Sequence, residues 1–261
     1  YSSNDYEYIL NDCKPSLIFV SNQNQFKKIE KFINDDVKKI ISFEKIDKKS
    51  LLIQEIFDEN LNEKIINNSL KRNMPACIIY TSGTSGNPKG VVLSHGGILS
   101  NCEGAIELLE PLIKKEEPVF LTWLPLSHSY EHTVQFIQII VGANVFYAES
   151  LDKLISNMGI ARPTIMTAVP RFYQNLFTKI NMNFEKQFGL KRKLINQTLN
   201  LGKKILKKED LNLEEKIINF FCEKLVRKKI KNQFGGKLQA FVSGGGALDR
   251  NIGEFLNSVG L

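Results

Sequence analysis

With 261 residues, 43% of them hydrophobic and 24% charged, the chain has enough apolar material for one large globular domain or two small ones, which excludes a disordered or low-complexity protein. Its net charge of +7 is local: residues 186–237 hold 15 Lys/Arg against 5 Asp/Glu, while the rest of the chain holds 20 against 23. Four scattered cysteines, Cys13, Cys77, Cys102 and Cys222, form no C-x-x-C pair, which argues against a cysteine-built metal or redox centre and for free thiols in a reducing compartment.

Taken in chain order, Leu17–Val20 reads as a strand, Gln25–Phe32 as a helix with apolar Phe26, Ile29 and Phe32, and Val37–Ile41 as the next strand, together a βαβ unit. A helical pattern over Leu51–Ile66 and a polar connection over Lys71–Pro75 lead to Ala76–Tyr80, an apolar run with the pattern of a buried strand. Gly90–Ser94 reads as a second short strand, and Ser94 can cap a helix with Ile98, Cys102, Ala105, Ile106 and Leu109 at helical spacing, ending near Pro111. Phe120–Leu124, Val145–Tyr147 and Thr164–Val169 are further strands, with a helix from Leu151 between the last two. From Gln187 to Gln233 the pattern is helical and basic, two helices with a turn near Glu209 and Asp210. Leu238–Val242 is a final strand, followed by a helix from about Asn251. This alternation predicts an α/β fold with largely parallel sheets and flanking helices.

The most informative segment is the string Thr81-Ser82-Gly83-Thr84-Ser85-Gly86-Asn87-Pro88-Lys89-Gly90 between two strands. Glycines let backbone N–H groups approach an anion closely, hydroxyls add donors, and Lys89 adds a mobile positive charge, so the string is a candidate phosphate cradle. A Walker A loop is excluded, because it needs Ser or Thr after the lysine and opens a helix, whereas Lys89 is followed by Gly90 and a strand. A plain Gly/Ser linker is the bland reading, and nothing in it calls for one proline and one lysine at its end.

Leu124-Pro125-Leu126-Ser127-His128-Ser129-Tyr130-Glu131-His132 is the second segment of interest. Its His-x-x-Glu-His is an inverted zinc-protease pattern, with His128 and His132 as ligands and Glu131 as base, although no third ligand can be named. Arg162–Arg171 reads as a buried strand ended by Pro170 and a helix start, with Arg171 alone free to touch an anion. In Ser243–Leu248, the run Gly244, Gly245, Gly246 and Ala247 offers bare backbone against which a flat purine could lie; the alternative is a tight strand-to-helix turn.

Together these four segments, in this order, resemble the acyl-adenylate-forming (AMP-binding) superfamily, which includes acyl-CoA synthetases, luciferases and peptide-synthetase adenylation domains. The cradle carries most of the resemblance; Leu-Pro-Leu-x-His-x-Tyr-Glu and the basic insert look most like long-chain fatty-acid:CoA ligases. His132 stands where members often have Arg, and Gly246 and Ala247 stand where they have Ala and Pro. The resemblance implies an incomplete N-terminal AMP-binding domain: 1–70 a βαβ region, 71–186 the phosphate loop and His128 segment, 187–237 a basic helical insert, 238–261 an adenine-side segment, with the C-terminal domain absent and the fragment alone inactive. It implies ATP-dependent activation of a long-chain fatty acid through an acyl-adenylate, with ATP, Mg²⁺ and CoA required.

Ser82, Gly83, Thr84, Ser85, Gly86 and Lys89 would hold phosphates, Thr81 would face Mg²⁺, His128 would be the catalytic-centre residue, and Gly244, Gly245, Gly246 and Ala247 would border adenine. An adenylating ligase for another carboxylic acid, a nucleotide-binding module without ligase activity and the zinc hydrolase are the alternatives. The expected partners are fatty acid, ATP and CoA and not nucleic acid, because the basic segment lacks interleaved stacking aromatics. The expected location is cytoplasmic; the basic helices allow a peripheral contact with an anionic membrane, set against a simple solvated face over core-facing Leu and Phe.

Overall fold

The computed structural model describes residues 2–47, 50–58, 69–81 and 87–261. It divides into two compact units, residues 1–97 and residues 98–261.

In the first unit, helix α1 (Ser3–Cys13) starts at a capping box in which the Ser2 hydroxyl accepts from Asp5 N and the Asp5 carboxylate accepts from Ser2 N. β1 (Leu17–Val20), α2 (Gln23–Ile29) with one 3₁₀ turn over Glu30–Phe32, and β2 (Lys39–Ser42) form the expected βαβ unit, the strands parallel with Leu17 opposite Lys39. Leu51 and Leu52, expected at the start of a helix, instead form β3 (Leu51–Leu52) along β2 before α3 (Ile53–Asp58) begins. An available strand edge outweighs helical spacing over two residues. The remainder of the predicted helix, 59–66, lies outside the described residues. Leu10, Val20, Phe26, Ile29, Ile40 and Ile46 make the core of this part.

β4 (Pro75–Thr81) and β5 (Lys89–Ser94) form an antiparallel hairpin with Thr81 opposite Lys89 and Tyr80 opposite Gly90. The expectation that 76–80 is a buried strand is not met, since only Ile79 of β4 is buried. The Tyr80 hydroxyl donates to Asp12 Oδ2 at 2.5 Å, tying the hairpin to α1. The Ser94 side chain accepts from Gly97 N at 3.1 Å, the cap expected for α4 (His95–Ile113). That helix passes through Pro111 rather than stopping there, because a proline in the last turn removes a single hydrogen bond.

The second unit is built on a four-stranded, all-parallel sheet. In chain order it contains β6 (Val119–Thr122), α5 (Ser129–Ile140), β7 (Asn144–Tyr147), α6 (Leu154–Ala161), β8 (Ile165–Ala168), α7 (Pro170–Glu185), α8 (Gly189–Leu206), α9 (Leu213–Cys222), a π turn over Glu223–Arg227, α10 (Lys228–Gln233), β9 (Ala240–Ser243) and α11 (Arg250–Ser258). The sheet order is β7-β6-β8-β9, with Phe120 opposite Ile165 and Ala168 opposite Ser243. Every residue of β8 is buried, as the predicted continuous apolar run requires of a parallel strand covered on both faces. Met158, Met166, Tyr173, Phe234, Leu256 and Val259 lie at the centre of the main core.

Connections from β6 run to β7 on one side and, later, to β8 on the other. The strand order therefore reverses between β6 and β8, and in an open parallel sheet ligands bind outside the carboxyl ends of the strands at such a point. The sequence supplies Leu124–His132 after β6, Arg171 after β8 and Gly244–Ala247 after β9, so three of the four predicted segments emerge at that end of the sheet.

Candidate functional site

In the first unit, Thr81 ends β4 and Lys89 opens β5 as its cross-strand partner, both exposed, with Pro88 buried between the loop and the strand. The string is thus a hairpin connection, as its flanking patterns predict. Ser82, Gly83, Thr84, Ser85 and Gly86 lie outside the described residues. At Gly90 a Cβ would stand 3.0 Å from Ile78 Cγ2 and 3.2 Å from the Tyr80 ring, so the glycine after Lys89 lets that ring lie across β5.

In the second unit, His128 is the exposed residue preceding α5, with extended backbone (φ −90°, ψ 134°); its N–H donates to Pro125 O at 3.0 Å and its carbonyl accepts from His132 N at 2.9 Å. The N-terminus of α5 therefore opens at the carboxyl ends of the strands, where its free N–H groups and dipole favour an anion.

Tyr130, in the first turn of α5, bridges to β9. Its hydroxyl donates to Val242 O at 2.9 Å, and its ring occupies the space where a side chain on Gly244 would be: a Cβ there would lie 2.2 Å from Cε2 and Cζ. Gly244 N donates to Ala168 O at 3.1 Å, which holds the start of the glycine run against β8. Gly245 has φ +73°, a left-handed conformation that favours glycine, and Gly245, Gly246 and Ala247 are exposed. The run is a tight strand-to-helix turn whose backbone faces solvent, and Asp249 then caps α11 by accepting from Asn251 N at 2.8 Å and Ile252 N at 3.1 Å. The strand-to-helix turn expected for this segment is therefore present. Burial and the neighbouring Glu131 charge push the Tyr130 phenol up to about 12, so it stays a donor at neutral pH.

Glu131 points the other way. It is fully buried, one carboxylate oxygen accepts from Thr167 Oγ1 at 2.9 Å and the other has no hydrogen-bond partner; burial raises its pKa, with the Thr167 and Thr122 hydroxyls pulling it back down. Thr122 in turn accepts from Gln135 Nε2 and Gln138 Nε2, each at 3.1 Å. This buried network ties α5 to β6 and β8. It also corrects the zinc alternative: Glu131 turns away from His128 into the sheet, and among the described residues no group of three His, Cys, Asp or Glu side chains could hold a metal ion.

Beside Tyr130 lies a cavity of about 400 Å³ between α4, α5 and the sheet. Ala105, Leu108 and Leu109 line it from α4, Val134 and Ile137 from α5, and Phe120 and Val242 from the strands, with Asn101, Ser129, Thr133 and Thr167 as the polar residues beside Tyr130. A largely apolar concavity of this size with a few polar groups is the usual form of a small-molecule site. Sequence reasoning named Tyr130 but missed the cavity and Thr167. Helical spacing of Ala105 and Leu109 was visible, but not which neighbour would leave that face open.

Buried Tyr173 packs against Phe172 and Phe241, and its hydroxyl and that of Ser243 both lack a partner of good geometry beneath the glycine run. Burial raises the Tyr173 phenol further than that of Tyr130. Trp123 Nε1 donates to Thr167 O at 2.8 Å and its ring stacks obliquely on Phe172. Arg171, in the first turn of α7, is exposed.

The model of the family described as AMP-binding enzyme matches residues 1–261. Among curated proteins, the chain is 34% identical over 182 residues to the peroxisomal long chain acyl-CoA synthetase 6 of Arabidopsis thaliana, covering 69% of this chain and 25% of that protein. It is 29% identical over 272 residues to the fatty acyl-CoA synthetase A of Dictyostelium discoideum, covering 98% and 39%, and 30% identical over 281 residues to a human long-chain-fatty-acid–CoA ligase, covering 99% and 42%. The chain thus spans between a quarter and about two-fifths of the length of these relatives. Among solved structures, the adenylation domain of a carboxylate reductase from Mycobacterium chelonae superposes with a TM-score of 0.68 at 16% identity over 100% of this chain and 40% of that one. ATP-bound MatB from Rhodopseudomonas palustris does so at 0.63 and 17%, over 98% and 40%. At these identities the structural matches speak for the fold.

Proposed function

The chain belongs to the AMP-binding enzyme family, and from that premise we propose that the protein carrying it is an AMP-forming ligase that activates a long-chain fatty acid to its CoA thioester. The observation that carries the proposal is the largely apolar cavity beside Tyr130, between α4, α5 and the sheet. The long-chain synthetases among the relatives support the same reading.

In the proposed reaction a fatty carboxylate oxygen attacks the α-phosphorus of ATP, the bond to the β-phosphate breaks, and pyrophosphate leaves. The CoA sulfur then attacks the acyl carbonyl, the bond to the phosphate oxygen breaks, and AMP leaves. Both reactants of the first step are anionic, so the protein must neutralise charge and align groups more than donate or accept protons.

Roles follow for this chain's residues. Ser82, Gly83, Thr84, Ser85 and Gly86 hold the outer phosphates and Lys89 offsets their charge. The Thr81 hydroxyl, an exposed hard-oxygen donor at a strand end, suits Mg²⁺ and would hold it; the ion supplies further charge neutralisation when bound with ATP. His128 and the N-terminus of α5 border the α-phosphate and carboxylate, Gly244 to Ala247 border adenine, and the cavity between α4 and α5 takes the acyl chain. Glu131 positions α5 and touches no reactant, whereas its hydrogen-bond partner Thr167 also lines the acyl cavity. The four-part division at 1–70, 71–186, 187–237 and 238–261 is proposed as a division of these roles.

The test is pyrophosphate release by the full-length protein. It should require both ATP and a long-chain fatty acid, and thioester should appear only when CoA is added. Release driven better by an aryl or short-chain acid would favour a ligase for another acid. Binding of ATP with no release in the presence of any acid would leave only a nucleotide-binding module.

A further inference from the structure

The basic helical segment of the second unit encloses a cavity of about 500 Å³ that shares no residue with the crevice beside Tyr130. Its apolar walls are Ile180 and Phe184 of α7, Leu194 and Ile195 of α8, and Leu225 and Ile230 of the helix that faces them, with Asn183, Gln187 and Gln233 as uncharged polar groups in the lining. Lys186, Lys191 and Lys229, all exposed, stand around it, and no lining residue carries a carboxylate.

The facing wall is shaped by the π turn Glu223–Arg227, which joins α9 to α10 as one continuous helix with a wider loop of backbone. Such turns recur at functional sites, because the extra residue re-aims side chains. Here Arg227 is turned inward, while buried Val226 and Leu225, which remains 58% exposed, both line the cavity. Arg227 locks this arrangement: its Nε donates to Ser258 O at 2.8 Å, Nη2 to Thr198 O at 3.2 Å and Nη1 to Asn219 Oδ1 at 2.7 Å. The cavity is therefore framed by a pinned wall.

Apolar walls with lysines around them select by chemistry. A polyanion alone would leave the walls in contact with water, a neutral hydrocarbon would make no use of the amines, and a metal cation would be repelled. A single alkyl chain with an anionic head satisfies both parts, the chain against the walls and the head within reach of lysine stems that themselves pack on apolar surface. The volume lies in the range of about 300–1,000 Å³ usual for small-molecule sites. We propose that this cavity is a second acyl-ligand site, distinct from the crevice beside Tyr130, for a fatty carboxylate or its CoA thioester. The choice of these two ligands rests on the ligase reading above; the chemistry of the site does not.

Calorimetric titration of the full-length protein with laurate and, separately, lauroyl-CoA tests it, with the crevice first filled by a non-hydrolysable acyl-adenylate analogue. One further equivalent should bind, at least tenfold more tightly than dodecanol. The double variant Lys191→Glu/Lys229→Glu should weaken it at least tenfold and the Arg/Arg pair at the same positions should restore it, while Leu225→Trp, at an exposed position, should block it. Unchanged melting temperatures would show that the variants fold, and the tighter of the two probes identifies the natural source. No binding beyond the filled crevice, or binding indifferent to these substitutions, overturns the proposal. If the second equivalent is present but the analogue displaces no laurate, the second site stands and the ligase reading falls.

Discussion

The Tyr130 ring occupies the position that a side chain on Gly244 would need, 2.2 Å from where its Cβ would be, while the Tyr130 hydroxyl holds Val242 O at 2.9 Å. One aromatic residue thus fixes the helix after β6 to the turn after β9, and a glycine makes that possible.

Gly244→Ala should therefore push Tyr130 off the turn. Overpacking of this kind costs about 1–3 kcal/mol. Urea denaturation of the full-length protein should show a loss in that range, with adenylation falling on the order of tenfold. Tyr130→Phe should cost less, about 1 kcal/mol for one hydrogen bond. An alanine tolerated without change in either measure would contradict the contact.

Lys89→Ala should reduce acid-dependent pyrophosphate release on the order of a hundredfold, the scale of losing a charge-stabilising donor, while the affinity for fatty acid barely moves. An intact rate would remove the hairpin from the phosphate-binding role.

Glu131 gives a pH prediction. Its carboxyl is raised by burial in the folded protein, so between its ordinary value of 4.5 and the raised folded value the native state holds a proton that the unfolded chain has lost. Its contribution to stability thus falls as pH rises through that window. Glu131→Gln keeps the shape and can still accept from Thr167. It should melt higher than wild type at pH 7–8, by a margin that shrinks as pH falls toward 4.5. A lower melting point for the variant at neutral pH would mean that the carboxylate is needed in its charged form.

Much of this was readable beforehand, for physical reasons that differ by element. β1, β7 and β8 carry short apolar runs and were located to within a residue or so; β8 is buried along its whole length as such a run suggests, whereas β1 and β7 are edge strands with residues mostly exposed or half-buried. The string Thr81–Gly90 was legible as a connection between two strands because Gly90 and the residues after it resume a strand pattern. Glu131 was not legible: between two histidines it reads as a reactive group, and only the packing of α5 on β6 and β8 turns it onto Thr167. Exposure was also misjudged in the basic helices, where Leu213, Ile217, Phe220 and Phe221, in part expected to face a core, stand at the surface.

We propose this exposed stripe as the place where a membrane contact, if made, would be tested. Phe220 lies under Lys224 Nζ at 4.4 Å, so aromatic and cationic groups share one helix face, a combination suited to an anionic bilayer surface. Sedimentation of the full-length protein with anionic liposomes should fall several-fold on changing Ile217, Phe220 and Phe221 to Ser, and at high salt. Equal sedimentation by wild type and variant would leave the lysines as a solvated face.

The most direct test of the proposed activity is the acyl chain-length profile of the full-length protein before and after filling the cavity beside Tyr130. Ala105, half-buried on α4, lines that cavity. Wild type should release pyrophosphate faster with palmitate than with hexanoate, and Ala105→Trp should lose at least tenfold with palmitate while keeping the hexanoate rate. The same profile for both proteins would place the acyl chain elsewhere and contradict the assignment of this cavity.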